Sequence, residues 1–223
     1  MEKYIITFAR EFGSRGREIA MKLGATLEIP VFDKEIIRRG AWRAGHIDEE
    51  YREADQVLED KLNGLDTGKF SLRSENAKYL YKVQADAVKK LAEEAPCIFI
   101  GRCADYVLRD NPNCMNVFIY APYSARYYHI LNEYGFTEEV TKNMIDKVDR
   151  ARHDYYKAVT GRNRGERDGK HLMVDSSMFG VEGTVAILEA MVKGKYLNEN
   201  VPFTTSVDPW IMGGEDDDKD EAV

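Results

Sequence analysis

The chain has 223 residues, 43% of them apolar, enough to bury one sizeable core and short enough that one domain with excursions is expected over two independent ones. Its net charge of -7 has a local origin, because residues 197–223 hold eight acids and one lysine while the body carries 31 residues of each sign. A neutral body with an acidic tail lacks the electrostatic footprint of a protein that binds nucleic acid polymers, although a local arginine cluster could still hold a small anion.

Lys3 to Phe8 is a short β-branched and aromatic run, and Met1 to Phe8 is too short for a secretory signal. Gly13 and Gly16 follow, and then Ile19, Ala20, Leu23 and Leu27 at helical spacing, which predicts strand, glycine loop and helix. Strand character returns at 30–32, 97–100, 115–120 and 171–174, and helical periodicity fills 34–62, 74–94, 123–133, 137–157 and 181–194. Five strands alternating with helices predict an α/β fold: an open, doubly wound, mostly parallel five-stranded sheet with helices on both faces. Ligands of such sheets gather at the carboxyl ends of the strands, so the loops after Phe8, Phe32, Ile100, Tyr120 and Val174 are expected to face one another. No apolar run approaches the roughly 20 residues of a membrane span, so a cytoplasmic protein with no membrane partner is expected. Cys97, Cys103 and Cys114 show neither paired metal-ligand spacing nor the even count of a disulfide framework, and read as reduced thiols. The acidic stretch Gly213 to Glu221 has nothing to bury and is expected to be disordered.

A glycine turn between a first strand and a first helix can aim several backbone N–H groups, and the positive end of the helix dipole, at a phosphate. Gly13, Ser14, Arg15, Gly16 and Arg17 fit that task. The usual pattern G-x-x-x-x-G-K-S/T also supplies a lysine for the β and γ phosphates and a hydroxyl for magnesium, and neither stands at its expected place here. A plain strand-to-helix turn whose glycines permit positive φ explains the same residues equally well.

The segment Arg10-Glu11-Phe12-Gly13-Ser14-Arg15-Gly16-Arg17-Glu18-Ile19-Ala20 resembles the loop R-E-F-G-S-G-G-R-E-I-A of the cytidylate kinase-like family of P-loop proteins. The resemblance continues through Val31 to Ile37, Ile100 to Leu108 and Asp149 to Tyr156, and spans most of residues 1–192. It implies a nucleoside monophosphate kinase fold over residues 1–196, with an acceptor-binding excursion at about 34–94, a lid at about 126–168, and a separate acidic tail at 197–223. It also implies ATP and Mg2+ as cofactors, a nucleoside triphosphate donor and a small nucleotide acceptor, CMP or dCMP first. Two departures stand out: Arg15 replaces a glycine, and the tryptophan that relatives carry before the glycine of Arg164-Gly165 is missing.

On that resemblance Gly101-Arg102 holds the acceptor phosphate, with Asp33 and Asp105 beside it, while Arg17 stands in for the absent lysine and Arg126 and Arg152 neutralise the transferring charge. Each residue has a plainer use. Arg102 could pair with Asp105, Asp33 could cap a helix, and the arginines of 149–168 could form a salt-laced exposed face. Asp175 is expected to cap the last helix. The histidines lack metal or triad spacing, and no protein metal site is expected. Two other functions fit the residues. One is a nucleotide-binding sensor or regulatory protein with little kinase activity; the other is a small-molecule kinase with a hydroxyl acceptor, for which Asp33 would act as base. The oligomeric state is left open.

Overall fold

The computed structural model describes residues 3–33, 49–63 and 75–197. The first part of the expected helix 34–62 and almost all of the acidic tail lie outside them. Five parallel strands form one sheet: β1 (Ile5–Arg10), β2 (Val31–Phe32), β3 (Cys97–Ile100), β4 (Cys114–Tyr120) and β5 (Leu172–Asp175), in the spatial order β2-β3-β1-β4-β5. The described helices are α1 (Gly16–Thr26), α2 (Glu49–Leu62), α3 (Glu75–Glu94), the single turn α4 (Ala104–Val107), α5 (Tyr123–Tyr134), α6 (Glu138–Thr160) and α7 (Ser176–Tyr196). No described helix is long and apolar enough to cross a membrane.

The two-residue period of the strands divides the core between the faces of the sheet. Ile6, Phe8, Ile98, Ile100, Val117 and Ile119 point to the side covered by α1 and α7, where Ile19, Leu23, Val185 and Leu188 meet them. Ile5, Cys97, Phe99 and Cys114 point to the other side, against Ala85, Val88 and Leu108. Burial on both faces explains why the central strands read as nearly continuous apolar runs. A third cluster, Leu58, Leu80, Val83, Cys103, Tyr155 and Tyr156, joins α2, α3 and α6 beside the sheet.

The expected elements are present within the described residues, with two shifts that matter. Strand β1 continues past Phe8, pairing Ala9 with Phe118 and Arg10 with Ile119, so the first strand ends on an arginine. Helix α7 opens at Ser176, ahead of the periodic stretch 181–194 and on the expected cap, the Asp175 side chain accepting the backbone N–H of Ser177 at 2.9 Å. Its regular path is then broken at Gly180, where φ is 65° and ψ is -174°. The three cysteines are free and buried.

Candidate phosphate-binding site

The turn between β1 and α1 is held from below and from both sides. Ser14 is buried and donates its hydroxyl to the Glu11 carbonyl at 2.9 Å, while the Ser14 carbonyl accepts the hydroxyl of Ser176 at 2.7 Å. The backbone N–H of Phe12 donates to Asp149 Oδ1 at 2.9 Å. Arg126 closes the frame: Nη1 donates to the Phe12 carbonyl at 3.0 Å and to Asp149 Oδ2 at 2.6 Å, and Nε lies 3.2 Å from Glu11 Oε2. Arg164, from the segment after α6, reaches the Arg10 carbonyl and lies 3.4 Å from Asp149 Oδ1. Asp149 on α6 is thus the acceptor on which the loop, α5 and the segment after α6 converge.

Two cavities open at the carboxyl edge of the sheet. One, of about 740 Å³, lies over the turn and is lined by Gly13, Arg15, Gly16 and Arg17 together with side chains of α1 and α5. The first turn of α1 is Gly16-Arg17-Glu18, without the hydroxyl that holds magnesium in the usual loop. The second cavity, of about 380 Å³, is bounded by Asp33, Glu59, Gly101, Arg102, Asp105 and Tyr156, and it takes in five arginines, at positions 10, 17, 102, 152 and 164. Arg10, Arg17 and Arg152 line both cavities and stand at their junction.

The backbone that presents Arg102 is strained. Gly101, Arg102 and Cys103 have φ of 74°, 55° and 55°, and for the two residues with side chains a left-handed backbone costs on the order of 1 kcal/mol each. The turn places the Arg102 guanidinium, whose side chain is only 4% exposed, against Glu59 and 3.7 Å from Asp55 of α2. Its Nη1 is buried with no hydrogen-bond partner among the described residues, which leaves one donor arm open among them. Asp105 does not pair with Arg102. It accepts from Lys170 Nζ at 2.5 Å and from the Tyr156 hydroxyl at 2.9 Å.

The arginines differ sharply in how their charge is answered. Arg17 is paired with Asp33 at 2.7 Å, and Arg15 with Glu18 at 2.8 Å. Arg152 lies over the Phe12 ring, its Cζ 5.5 Å from the centroid, and burial, with the charge of Arg164, pushes its pKa down to about 10. Burial and the charges of Arg152, Arg164, Arg102 and Arg17 hold Arg10 well below the usual arginine range. A carboxylate partner appears for neither Arg10 nor Arg152 among the described residues. A surplus of unanswered positive charge at the carboxyl edge of the sheet is suited to an anion.

Most of the expected site residues come together here, though not all in the expected role. Gly13, Arg15, Gly16 and Arg17 line the loop cavity, and Asp33, Gly101, Arg102, Asp105 and Arg152 the second. Ser14 lines neither, because its side chain turns inward to backbone carbonyls. Arg126 lines neither cavity, and its guanidinium binds Ala121, Phe12, Glu11 and Asp149 behind the loop. Arg17 faces Asp33. Three participants carried no expected role: Arg10, which entered only as the first residue of the loop segment, Lys170 and the carboxylates of α2. Arg10 would have been found had β1 been carried two residues further, which puts it at the carboxyl end of a central strand.

A model of the cytidylate kinase-like family matches residues 5–178. Among solved structures, an uncharacterized protein from Eubacterium ventriosum ATCC 27560 is similar at 22% identity and a TM-score of 0.66, covering 86% of this chain and 100% of that one. A shikimate kinase from Bacteroides thetaiotaomicron, at 12% identity, has a TM-score of 0.49 over 85% of this chain and 98% of its own. A gluconokinase from Sinorhizobium meliloti 1021, at 13% identity, has a TM-score of 0.48 over 89% and 98%. No curated protein matches the chain.

Proposed function

The chain belongs to the cytidylate kinase-like family, and from that footing we propose that it transfers the γ-phosphoryl group of ATP to the phosphate of a nucleoside monophosphate, with CMP or dCMP the first acceptor to test. The observation that carries this reading is the pair of cavities that share Arg10, Arg17 and Arg152. A donor triphosphate over the loop and an acceptor phosphate beside Arg102 would meet at that junction.

The charge balance favours a phosphate acceptor over a hydroxyl. Every described carboxylate lining the second cavity faces a cation: Asp33 faces Arg17, Glu59 faces Arg102, and Asp105 faces Lys170. A phosphate oxygen is already anionic and needs no base, whereas a hydroxyl acceptor would require one of these carboxylates to be released to take its proton. Phosphoryl transfer is promoted chiefly by positioning and by neutralising charge on the transferring oxygens. In this chain the free arm of Arg102 would orient the acceptor, Arg152 would neutralise charge at the junction, and the backbone N–H groups opening α1 would hold the donor phosphates. Magnesium would come with the triphosphate, held by its oxygens and water, because the Ser14 hydroxyl turns inward and the first turn of α1 carries none.

The test is a coupled assay of ATP turnover against CMP, dCMP, UMP, AMP and GMP, with shikimate and gluconate as hydroxyl acceptors, using wild type, Arg102→Ala and Arg152→Ala. Turnover that depends on a nucleotide acceptor and drops at least a hundredfold in either variant is expected. Turnover with the hydroxyl acceptors alone would move the reading to a small-molecule kinase with Asp33 as base. ATP binding without turnover on any acceptor would leave a nucleotide sensor.

A further inference from the structure

The usual loop lysine is missing, and Arg17 is not free to replace it, because Asp33 holds its guanidinium at 2.7 Å. The backbone shows where the lysine position falls. In G-x-x-x-x-G-K the lysine follows the last glycine of the loop. The left-handed step just before α1, a conformation glycine favours, is taken by Arg15 with φ 58°. Counting from it, the lysine position is 16 and the position of the first glycine is 10. Here the two are exchanged: glycine stands at 16 and arginine at 10.

They also face each other in space. A Cβ added at Gly16 would lie 2.6 Å from the Arg10 Cβ and 3.1 Å from its Cγ. The Arg10 side chain then runs on to Gly101, where an added Cβ would lie 2.5 Å from Nη1. At Gly16 the Arg10 stem leaves no room for a side chain, and at Gly101 the positive φ of 74° favours glycine as well. At its end the guanidinium has no hydrogen-bond or ion-pair partner among the described residues, is surrounded by four other arginine charges, and lines both cavities. A cation held among like charges with no counter-ion is unfavourable in the empty protein, and an arriving anion relieves it.

We propose that Arg10 is the phosphate-binding cation of this loop, supplying from position 10 the charge that the ordinary loop supplies from position 16. Its ligand is a polyphosphate chain at the junction of the two cavities. The identification of that ligand as ATP rests on the phosphotransferase reading; the binding role does not.

The test measures binding of ATP and of inorganic tripolyphosphate by titration calorimetry, without acceptor, together with the unfolding temperature of each ligand-free protein. Arg10→Ala is expected to weaken both ligands at least tenfold, the effect of one lost charge-assisted hydrogen bond, while its unfolding temperature stays the same or rises. Arg10→Lys is expected to keep part of the affinity. Arg10→Gly combined with Gly16→Lys is expected to recover most of it, because glycine at 10 removes the Cβ that an added Cβ at Gly16 would meet at 2.6 Å and opens the space the lysine enters. Arg10→Ala binding both ligands as wild type does, or melting several degrees lower with no recovery in the double variant, overturns the assignment and makes Arg10 structural. Wild-type binding of ATP without transfer to any acceptor defeats the phosphotransferase reading and leaves Arg10 as the binding cation. Transfer at the wild-type rate by Arg10→Ala does the reverse.

Discussion

Replacing Asp149 with alanine removes the acceptor of the Phe12 N–H at 2.9 Å, of Arg126 at 2.6 Å and of Arg164 at 3.4 Å. Breaking a buried ion pair from one side costs about 3–5 kcal/mol, most of it from the charge left behind. Here the two arginines are not wholly abandoned. Arg126 keeps Glu11 and the carbonyls of Ala121 and Phe12, and Arg164 keeps the Arg10 carbonyl. The expected cost therefore falls toward the lower end, about 3 kcal/mol, and for a domain of this size each kcal/mol lowers Tm by about 2–4 °C. Differential scanning calorimetry should show a fall of about 6–12 °C for Asp149→Ala, and about half of that for Asp149→Asn, which retains one acceptor oxygen. Hydrogen exchange at the Phe12 amide should quicken in step. A Tm within about 2 °C of wild type and unchanged exchange at Phe12 would refute the view that the loop hangs on α6.

Gly16→Ala sets two effects against each other: alanine gains about 1 kcal/mol as a helix former, but overpacking against the Arg10 Cβ and the Ile119 Cβ, at 2.6 and 3.3 Å, costs about 1–3 kcal/mol. A small net loss in Tm with weakened ATP binding is expected, and a more stable variant would show that the contact relaxes freely. Burial raises the Cys97 and Cys114 thiols to about 12 and Cys103 well above its usual range, so a disulfide reagent at pH 8 should label none of the three in the native protein within minutes and all of them in guanidinium. His171 accepts the backbone N–H of Asn116 at 2.8 Å through Nδ1, and burial, with the charge of Lys195, lowers its pKa from 6.5. The unfolded chain therefore binds the proton first, so this contribution is present above about pH 6.5 and is lost as pH falls below it. His171→Asn should flatten the decline of Tm between pH 7 and 5, and an unchanged slope would rule the residue out as its source.

The sheet was legible in the sequence because its central strands are buried on both faces and read as unbroken apolar runs; Cys97 to Ile100 is recovered residue for residue. Strand β1 was cut at Phe8 because its last residues, Ala9 and Arg10, carry no strand signature of their own, and their pairing with β4 depends on a partner more than a hundred residues away. Local chemistry also showed where Arg102 would stand, at the end of a buried strand. It could not show Asp55 and Glu59 as its partners, since those lie on a helix that reaches the cleft only through the tertiary fold. Arg126 shows the converse limit of local reading. An arginine just after a central strand has the position of a ligand-binding residue, and only the geometry of Asp149 and Phe12 shows that its charge is already used.

The facing of Arg10 and Gly16 also constrains descent. A lysine arriving at position 16 meets the arginine already packed there, and an arginine lost first from position 10 leaves the turn with a cation at neither place. Neither order of single replacements keeps both the fit and the charge. The two forms of the loop are therefore separated by a valley that two coordinated changes can cross and one cannot, and relatives are expected to carry one pairing or the other, with mixed pairings rare.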